Sequence, residues 1–159
     1  MASAWQLDLA DLAATMRFGR ALGRNLFPGA VVAMIGPLGA GKTHLVRAVA
    51  EGLGIADSRV VTSPTFVLIQ EYPARLPIYH FDAYRLTSEA EFADLGVHEY
   101  FEGAGVCLIE WADRVPGCLP AEHLSIAFTV TGDISRRLEI VPRGQDYEAL
   151  LKGLSARLR

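Results

Sequence analysis

Apolar positions recur with two different spacings along the first third of the chain, and each spacing predicts one kind of element. After Asp11, apolar residues at helical spacing predict a helix over 12–26. Residues 30–35 are apolar throughout and include β-branched side chains, which is typical of a strand buried on both faces. A glycine-rich turn at 36–41 and an amphipathic helix through Leu53 follow, so the pattern predicts strand, turn and helix in succession.

Strands and helices continue to alternate in the rest of the chain. Further strands are predicted at 59–62, 66–72, 77–82, 105–110, 123–130 and 136–142. Ser88 and Glu91 form a capping-box pattern that opens a short helix toward Leu95, and residues 145–158 predict a closing helix. The last two strands are separated by Gly132-Asp133, which favours a hairpin or meander. We therefore expect an α/β three-layer sandwich with a mixed, mostly parallel central sheet and helices on both faces.

Length and composition are those of a single globular domain over residues 1–159. Of the 159 residues, 51% are hydrophobic and 21% are charged, which excludes collagen-like, disordered and disulfide-rich classes. The net charge of −3 argues against attraction of the whole surface to nucleic acid or anionic membranes. Cys107 and Cys118 lack a metal-site spacing and are predicted to be buried small hydrophobic residues in a reducing compartment. Because no secretory signal or bilayer-spanning run is recognised, we expect a cytoplasmic protein without membrane contact.

The turn after the first buried strand carries the strongest chemical signal. Residues 36–43 match the phosphate-binding pattern G-x-x-x-x-G-K-[ST], in which glycines let backbone N–H groups turn toward a phosphate. Lys42 is predicted to reach the β- and γ-phosphates as a catalytic residue, and the Thr43 hydroxyl is predicted to bind Mg²⁺. The predicted nucleotide-binding residues are Gly36, Leu38, Gly39, Ala40, Gly41, Lys42 and Thr43.

The other half of the metal site is predicted at the ends of neighbouring strands. Glu110 ends the apolar run 106–109, where a carboxylate can hold a metal ion or its water, so it is the predicted metal ligand beside Thr43 and a predicted catalytic residue. Asp82 ends another predicted strand and is interpreted as a catalytic residue, with a turn-capping aspartate as the alternative. His80 lies two residues earlier, and both a structural and a catalytic role stay open.

A polar turn containing a proline spans residues 61–66 and is a candidate nucleotide-sensing switch. Ser63 and Thr65 are its predicted switch residues, and a simple Ser/Thr turn is the alternative. Trp111, directly after Glu110, either covers the site or packs as a partly buried tryptophan.

Together these motifs resemble those of one family, the bacterial TsaE proteins, which are P-loop ATPases of tRNA threonylcarbamoyladenosine biosynthesis. The similarity includes L-G-A-G-K-T at 38–43, S-P-T-F at 63–66, H-F-D-A-Y-R at 80–85 and I-E-W at 109–111. The resemblance implies a P-loop NTPase fold and a Mg²⁺-dependent ATPase, weak by itself, that acts on a TsaB–TsaD heterodimer. In tRNAs that read ANN codons, that complex modifies the adenosine beside the anticodon. The resemblance also implies an indirect tRNA contact and an adenine near the first helix and the turn 132–136.

Two other functions use the same phosphate-binding pattern. A small-molecule kinase is the alternative function, but such kinases bring paired arginines over the γ-phosphate, and only Arg114 lies between Glu110 and His123. A guanine-nucleotide switch commonly uses N-K-x-D, and the only asparagine, Asn25, is far from any such motif. GTP specificity is therefore disfavoured.

Overall fold

The protein is built around a seven-stranded sheet, seen in a computed structural model that describes residues 4–62 and 68–158. The strands are β1 (Trp5–Leu9), β2 (Val31–Ile35), β3 (Ile69–Tyr72), β4 (Ile78–Asp82), β5 (Val106–Glu110), β6 (His123–Val130) and β7 (Arg136–Arg143). Their order is β1-β7-β6-β2-β5-β4-β3. The central strands β6, β2, β5 and β4 are parallel, whereas the pairs β1–β7, β7–β6 and β4–β3 are antiparallel. The predicted mixed sheet with a parallel middle is confirmed.

Helices cover both faces of this sheet. They are α1 (Leu12–Asn25), α2 (Lys42–Gly52), α3 (Glu89–Ala93), α4 (Val97–Glu102) and α5 (Gln145–Leu158). Side chains of α1, α2 and α5 share one hydrophobic core with Val32 of β2, and side chains of α3 and α4 share a second core with its neighbour Val31. Because successive residues of a strand point to opposite faces, β2 contributes to both cores. The predicted three-layer arrangement is confirmed.

The helix starts follow the capping signals of the sequence closely. The Asp11 side chain accepts a hydrogen bond from the Ala14 N–H at 2.9 Å and caps α1. The Ser88 hydroxyl accepts a hydrogen bond from the Glu91 N–H at 3.2 Å and caps α3. The Glu91 carboxylate accepts from the Thr87 N–H at 3.1 Å, one residue earlier than the reciprocal bond of a capping box.

The strand predicted at 59–62 is wrong. Ser58–Val60 form a short 3₁₀ helix instead, and residues 61 and 62 belong to no strand. Asp57 favours this turn because its carboxylate accepts a hydrogen bond from the Arg59 N–H at 3.0 Å. The first two residues of the predicted strand, Arg59 and Val60, therefore belong to a capped turn.

Three further differences concern element boundaries and elements that were not predicted. The strand predicted at 66–72 is observed as β3 from Ile69, and residues 66 and 67 lie outside the described residues. Neither β1 nor α4 was predicted. Residues of β1 alternate in burial and pair antiparallel with β7, so its partner is remote in sequence. The six-residue helix α4 begins after Gly96, whose positive φ of 77° ends the preceding turn.

Both cysteines are buried and neither is in a disulfide, as predicted. Burial raises the pKa of the Cys107 thiol to about 12, so this thiol stays protonated at neutral pH. Within residues 4–62 and 68–158, the helices are too short or too polar for any of them to cross a bilayer.

Helices α1 and α2 approach each other closely enough that their contact depends on residues without side chains. A Cβ built on Gly23 of α1 would lie 2.2 Å from the Val49 carbonyl oxygen of α2. A Cβ on Gly52 of α2 would lie 2.2 Å from the Arg20 carbonyl oxygen of α1. Both obstacles are backbone atoms, which cannot move aside as a flexible side chain does. The close packing of α2 against α1 therefore depends on these glycines.

We expect Gly23→Ala to lower the free energy of unfolding by about 1–3 kcal/mol, because the added methyl group forces the helices apart. Gly153→Ala in α5 is the matched control: a Cβ there meets no atom within 4 Å among the described residues. This control is expected to raise the free energy of unfolding by about 0.5–1 kcal/mol through helix propensity. Urea denaturation of both variants checks the prediction, and equal stability of the two would contradict it.

Candidate functional site

The loop between β2 and α2 takes a conformation that glycine allows and other residues avoid. Gly41 has φ of 106° and is the N-cap of α2, without a side-chain hydrogen bond to the helix. The N–H groups of the first helical turn lack partners within the helix. Since they carry the positive end of the helix dipole, they are able to donate hydrogen bonds to an anion.

Lys42 is buried within this loop and held there by backbone oxygens. Its Nζ donates hydrogen bonds to the carbonyl oxygens of Gly36 at 2.5 Å and Pro37 at 2.9 Å. The same ammonium group lies 3.9 Å from the centroid of the Trp111 ring. Desolvation lowers the pKa of Lys42, and three nearby carboxylates, Glu110 foremost, oppose this effect. An anion bound in the loop would therefore lie beside the weakly hydrated ammonium group of Lys42.

Thr43 and Glu110, the predicted pair of metal ligands, are in direct contact. The Thr43 hydroxyl donates to both carboxylate oxygens of Glu110, at 3.0 and 3.1 Å. Glu110 ends β5, which runs parallel to β2, so its carboxylate reaches the same sheet edge at which α2 begins. The contact therefore follows from the parallel pairing of two central strands.

The oxygen atoms of this pair suit Mg²⁺. This ion prefers oxygen ligands and usually keeps several waters, with one or two protein ligands beside substrate phosphates. Because the Thr43 hydrogen is donated to Glu110, the lone pairs of its oxygen are available to a cation. The described part of the chain holds no group of three or more His, Cys, Asp or Glu side chains arranged as a metal cage. The donor set therefore fits a metal ion shared with a phosphate ligand.

Asp82 and His80 extend the site along β4. Asp82 is opposite Glu110 in the parallel pairing of β4 with β5, and its side chain is mostly buried. Its carboxylate accepts a hydrogen bond from the Tyr84 N–H at 2.9 Å, so the turn-capping contact considered from the sequence is present. His80 is fully buried, and its Nε2 lies 2.6 Å from Oε2 of Glu110. The sequence left the role of His80 open, and the structure places it against the candidate metal ligand.

A cavity of about 390 Å³ joins the loop with Asp82 and Glu110 into one site. It is lined by loop residues 38–41 together with Lys42, Thr43, Asp82 and Glu110. All predicted catalytic and metal-binding residues therefore share one cavity. Gly36 is not part of its lining: a Cβ at Gly36 would lie 2.8 Å from that of Phe128, and its carbonyl oxygen bonds Lys42.

The aromatic side chains of Trp111 and Tyr84 form a wall of this cavity. Trp111 has φ of 59°, the one positive φ of a non-glycine residue within the described ranges, and such a conformation costs about 1–2 kcal/mol. Its ring packs on Tyr84 with centroids 4.8 Å apart, and the Arg114 guanidinium lies 5.0 Å from the Tyr84 ring. Trp111 thus lines the site and also packs, so both roles considered from the sequence describe it.

A second cavity of about 440 Å³ lies on the other side of the loop. It is lined by Leu12 and Thr15 of α1, by Ile134 and Arg136, and by His44. These are the two regions, the start of the first helix and the turn 132–136, that the resemblance associates with adenine. The structure brings them together beside the loop.

Arg136 ties the β6–β7 turn to the loop, a role that was not predicted. Its Nε donates to the Ala40 carbonyl oxygen at 3.0 Å and its Nη2 donates to that of Gly39 at 3.3 Å. Its Nη1 donates to the carbonyl oxygens of Ser135 and Gly132 at 2.8 and 3.0 Å. Arg136 and Ala40 are 96 residues apart in sequence, so no local pattern marks this contact.

The candidate switch residues Ser63 and Thr65 lie outside the described residues. The chain just before them is attached to α2, because Nη2 of Arg47 donates to the Val61 carbonyl oxygen at 2.9 Å. Their role as a switch stays a prediction.

Comparisons with known proteins agree on one family. A family model described as "Threonylcarbamoyl adenosine biosynthesis protein TsaE" matches residues 9–138. A tRNA threonylcarbamoyladenosine biosynthesis protein TsaE from Bacillus subtilis is 48% identical over 129 residues, covering 80% of this chain and 79% of that protein. One from Treponema pallidum is 44% identical over 126 residues, covering 79% and 92%. The crystal structure of Bacillus subtilis YdiB matches with a TM-score of 0.84 and 35% identity, covering 100% of this chain and 99% of that chain.

We expect Arg136→Gln to loosen the loop, because it removes the guanidinium bonds to Gly39 and Ala40. Hydrogen exchange of the Ala40 amide, which donates to the Pro37 carbonyl oxygen at 3.1 Å, should become about tenfold faster, which corresponds to a loss of about 1.4 kcal/mol from charged hydrogen bonds. Arg137→Gln is the matched control, since Arg137 instead forms an exposed ion pair with Asp8 at 2.7 Å. Unchanged exchange in Arg136→Gln, or equal acceleration in both variants, would contradict the prediction.

Proposed function

The chain belongs to the TsaE family, and from this premise we propose that it is an ATPase that supports the threonylcarbamoyladenosine modification of tRNA. Its part in tRNA threonylcarbamoyladenosine biosynthesis follows from the family. The finer proposal is that ATP binds in the loop of residues 36–43 with Mg²⁺ and is hydrolysed to ADP and phosphate. The observation that carries it is the contact of Thr43 with Glu110 beside the buried Lys42.

The loop supplies the contacts to the phosphates in this proposal. Its backbone N–H groups and those of the first turn of α2 donate to phosphate oxygens. Lys42 exchanges its bonds to the carbonyl oxygens of Gly36 and Pro37 for bonds to the β- and γ-phosphates. Because the ammonium group is already partly desolvated, little further hydration is lost when a phosphate arrives.

Thr43 and Glu110 are the proposed holders of Mg²⁺. When bound, this ion neutralises charge that develops on the phosphates. The Thr43 hydroxyl offers the lone pairs of its oxygen to the ion while it donates its hydrogen to Glu110, and Glu110 accepts hydrogen bonds from Thr43 and from water. Asp82, opposite Glu110 on β4, is proposed to orient the attacking water.

A slow rate for the isolated protein is part of the proposal. Hydrolysis needs an oriented water and neutralised charge in the transition state, and a partner can complete both by ordering the segment that contains Ser63 and Thr65. The proposed partner is a TsaB–TsaD heterodimer in the cytoplasm, with tRNA contacted through that complex. Adenine is proposed to lie in the cavity between α1 and the turn 132–136, beside Arg136.

We expect Lys42→Ala to weaken ATP binding at least about tenfold, because a desolvated charge–phosphate contact is lost. Lys152→Ala is the control, since Lys152 is the other lysine of the chain and lies exposed on α5. Titration calorimetry with a non-hydrolysable ATP analogue measures both. If Lys42→Ala binds as tightly as the control, the loop is not the triphosphate site.

For Glu110→Gln we expect a different effect from that of Lys42→Ala. ATP binding should stay within about threefold, whereas Mg²⁺-dependent hydrolysis should fall about 10²-fold, because the carboxylate is needed for metal and water rather than for the phosphates. Release of inorganic phosphate at varied Mg²⁺ concentration measures this. A wild-type rate in Glu110→Gln would rule out the proposed metal site.

The partner is tested by adding the TsaB–TsaD heterodimer to the ATPase assay. We expect at least about a tenfold increase in phosphate release, as when a partner completes a phosphoryl-transfer site. Labelled phosphate that appears in a metabolite instead of in water would support the small-molecule kinase. No change of rate on addition of the heterodimer would contradict the partner dependence.

A further inference from the structure

The imidazole of His80 contacts the carboxylate that the proposed function assigns to Mg²⁺. We propose that His80 is a positioning residue: its Nε2–H fixes the orientation of Glu110 toward the metal ion and the Thr43 hydroxyl. This inference rests on the proposed function, because it concerns how the same site obtains its metal affinity. The contact measures 2.6 Å, and the two side chains are 0% and 4% exposed.

The direction of the hydrogen bond follows from the chemistry of its two partners. When Glu110 is ionised its carboxylate can only accept, so the inferred hydrogen bond runs from the Nε2–H of His80 to Glu110. Glu110 also accepts from the Thr43 hydroxyl. The carboxylate therefore receives one donor from β4 and one from α2. Two donors from separate elements define its rotation more strictly than either does alone.

The register of the sheet explains how the ring of His80 reaches Glu110. His80 is paired with Leu108 in the parallel pairing of β4 with β5, two residues before Glu110. Residues two apart point to the same face of a strand and lie about 6.6 Å apart along it. The imidazole spans this diagonal, whereas Asp82, directly opposite Glu110, is engaged with the Tyr84 N–H.

A purely structural role would leave one feature of His80 unexplained. Its Nδ1 is buried and has no hydrogen-bond partner in the part of the chain that the structure describes. A buried polar atom without a partner destabilises the fold, and an apolar side chain at this position would avoid that loss. The bond from Nε2 to Glu110 is the compensating interaction that the described residues offer. The histidine thus has a reason to be present that packing does not supply.

The proposed role separates metal binding from nucleotide binding. Without the His80 donor, Glu110 keeps its bond to Thr43 but can rotate about its side-chain torsions. The carboxylate is then less ordered, and the metal ion is bound more weakly. Loss of a residue that orients a metal ligand typically weakens metal binding about 10- to 100-fold. The backbone N–H groups of the loop and Lys42 contact phosphate without the metal ion, so metal-free nucleotide binding is expected to change little.

The test compares His80→Leu, which removes the donor, with His80→Gln, whose amide N–H can replace it. Electron paramagnetic resonance of free Mn²⁺ measures the Mn²⁺ affinity of each protein in saturating ADP, and fluorescence titration measures ADP affinity in EDTA. We expect His80→Leu to bind Mn²⁺ about 10- to 100-fold more weakly. ADP affinity in EDTA should stay within about threefold, and His80→Gln should bind Mn²⁺ more tightly than His80→Leu. His123→Leu, which removes the mostly buried histidine of β6, is the control and should bind Mn²⁺ as the wild type does.

The outcomes distinguish this inference from the proposed function. Wild-type Mn²⁺ affinity in His80→Leu, or equal loss of Mn²⁺ and metal-free ADP affinity, overturns the positioning role alone. A wild-type protein that binds neither ADP nor Mn²⁺ overturns the proposed function as well. A measurement without any variant covers the case in which His80→Leu does not fold: ¹⁵N NMR of the wild-type imidazole should show hydrogen on Nε2, and its absence there overturns the inference.

Discussion

The hydrogen bonds from the Thr43 hydroxyl to the Glu110 carboxylate join the two parts of the site, and the other candidate residues are arranged around them. Thr43 belongs to the loop of residues 36–43 and the first turn of α2, whereas Glu110 lies at the end of β5. If these two elements were a few ångströms farther apart, the loop would still attract an anion. No carboxylate would then stand beside the hydroxyl to hold a cation against that anion.

Two features of the fold keep this contact in place. Parallel pairing of β2, β5 and β4 puts the carboxyl ends of three strands at one edge of the sheet, so that Asp82 and Glu110 lie opposite each other. The close contact between α1 and α2 at their glycines sets the position of α2, which begins with Lys42 and Thr43. Arg136 holds the loop from the far side through the Ala40 carbonyl oxygen. The geometry of the site therefore depends on strand pairing, helix packing and the Arg136 bond, which lie outside the contact of Thr43 with Glu110.

Sequence patterns predicted what depends on neighbours along the chain. The loop at 36–43 and the buried strand ending in Glu110 carry their signals locally, and their contact followed from parallel pairing. Contacts between distant segments left no such signal: β1 pairs with β7, where Asp8 and Arg137 are 129 residues apart, and the bond of His80 to Glu110 depends on strand register. The strand predicted at 59–62 failed because a local aspartate cap was overlooked. Ser63 and Thr65 lie outside the described residues, so the switch stays a prediction.

The most direct test of the proposed site is a crystal structure with Mn²⁺ and a non-hydrolysable ATP analogue, with diffraction data collected at the manganese absorption edge. We expect the triphosphate to lie along residues 36–43 and the anomalous peak to lie beside the Thr43 hydroxyl on the side of Glu110. A triphosphate bound outside the loop, or a manganese peak remote from both side chains, would contradict it.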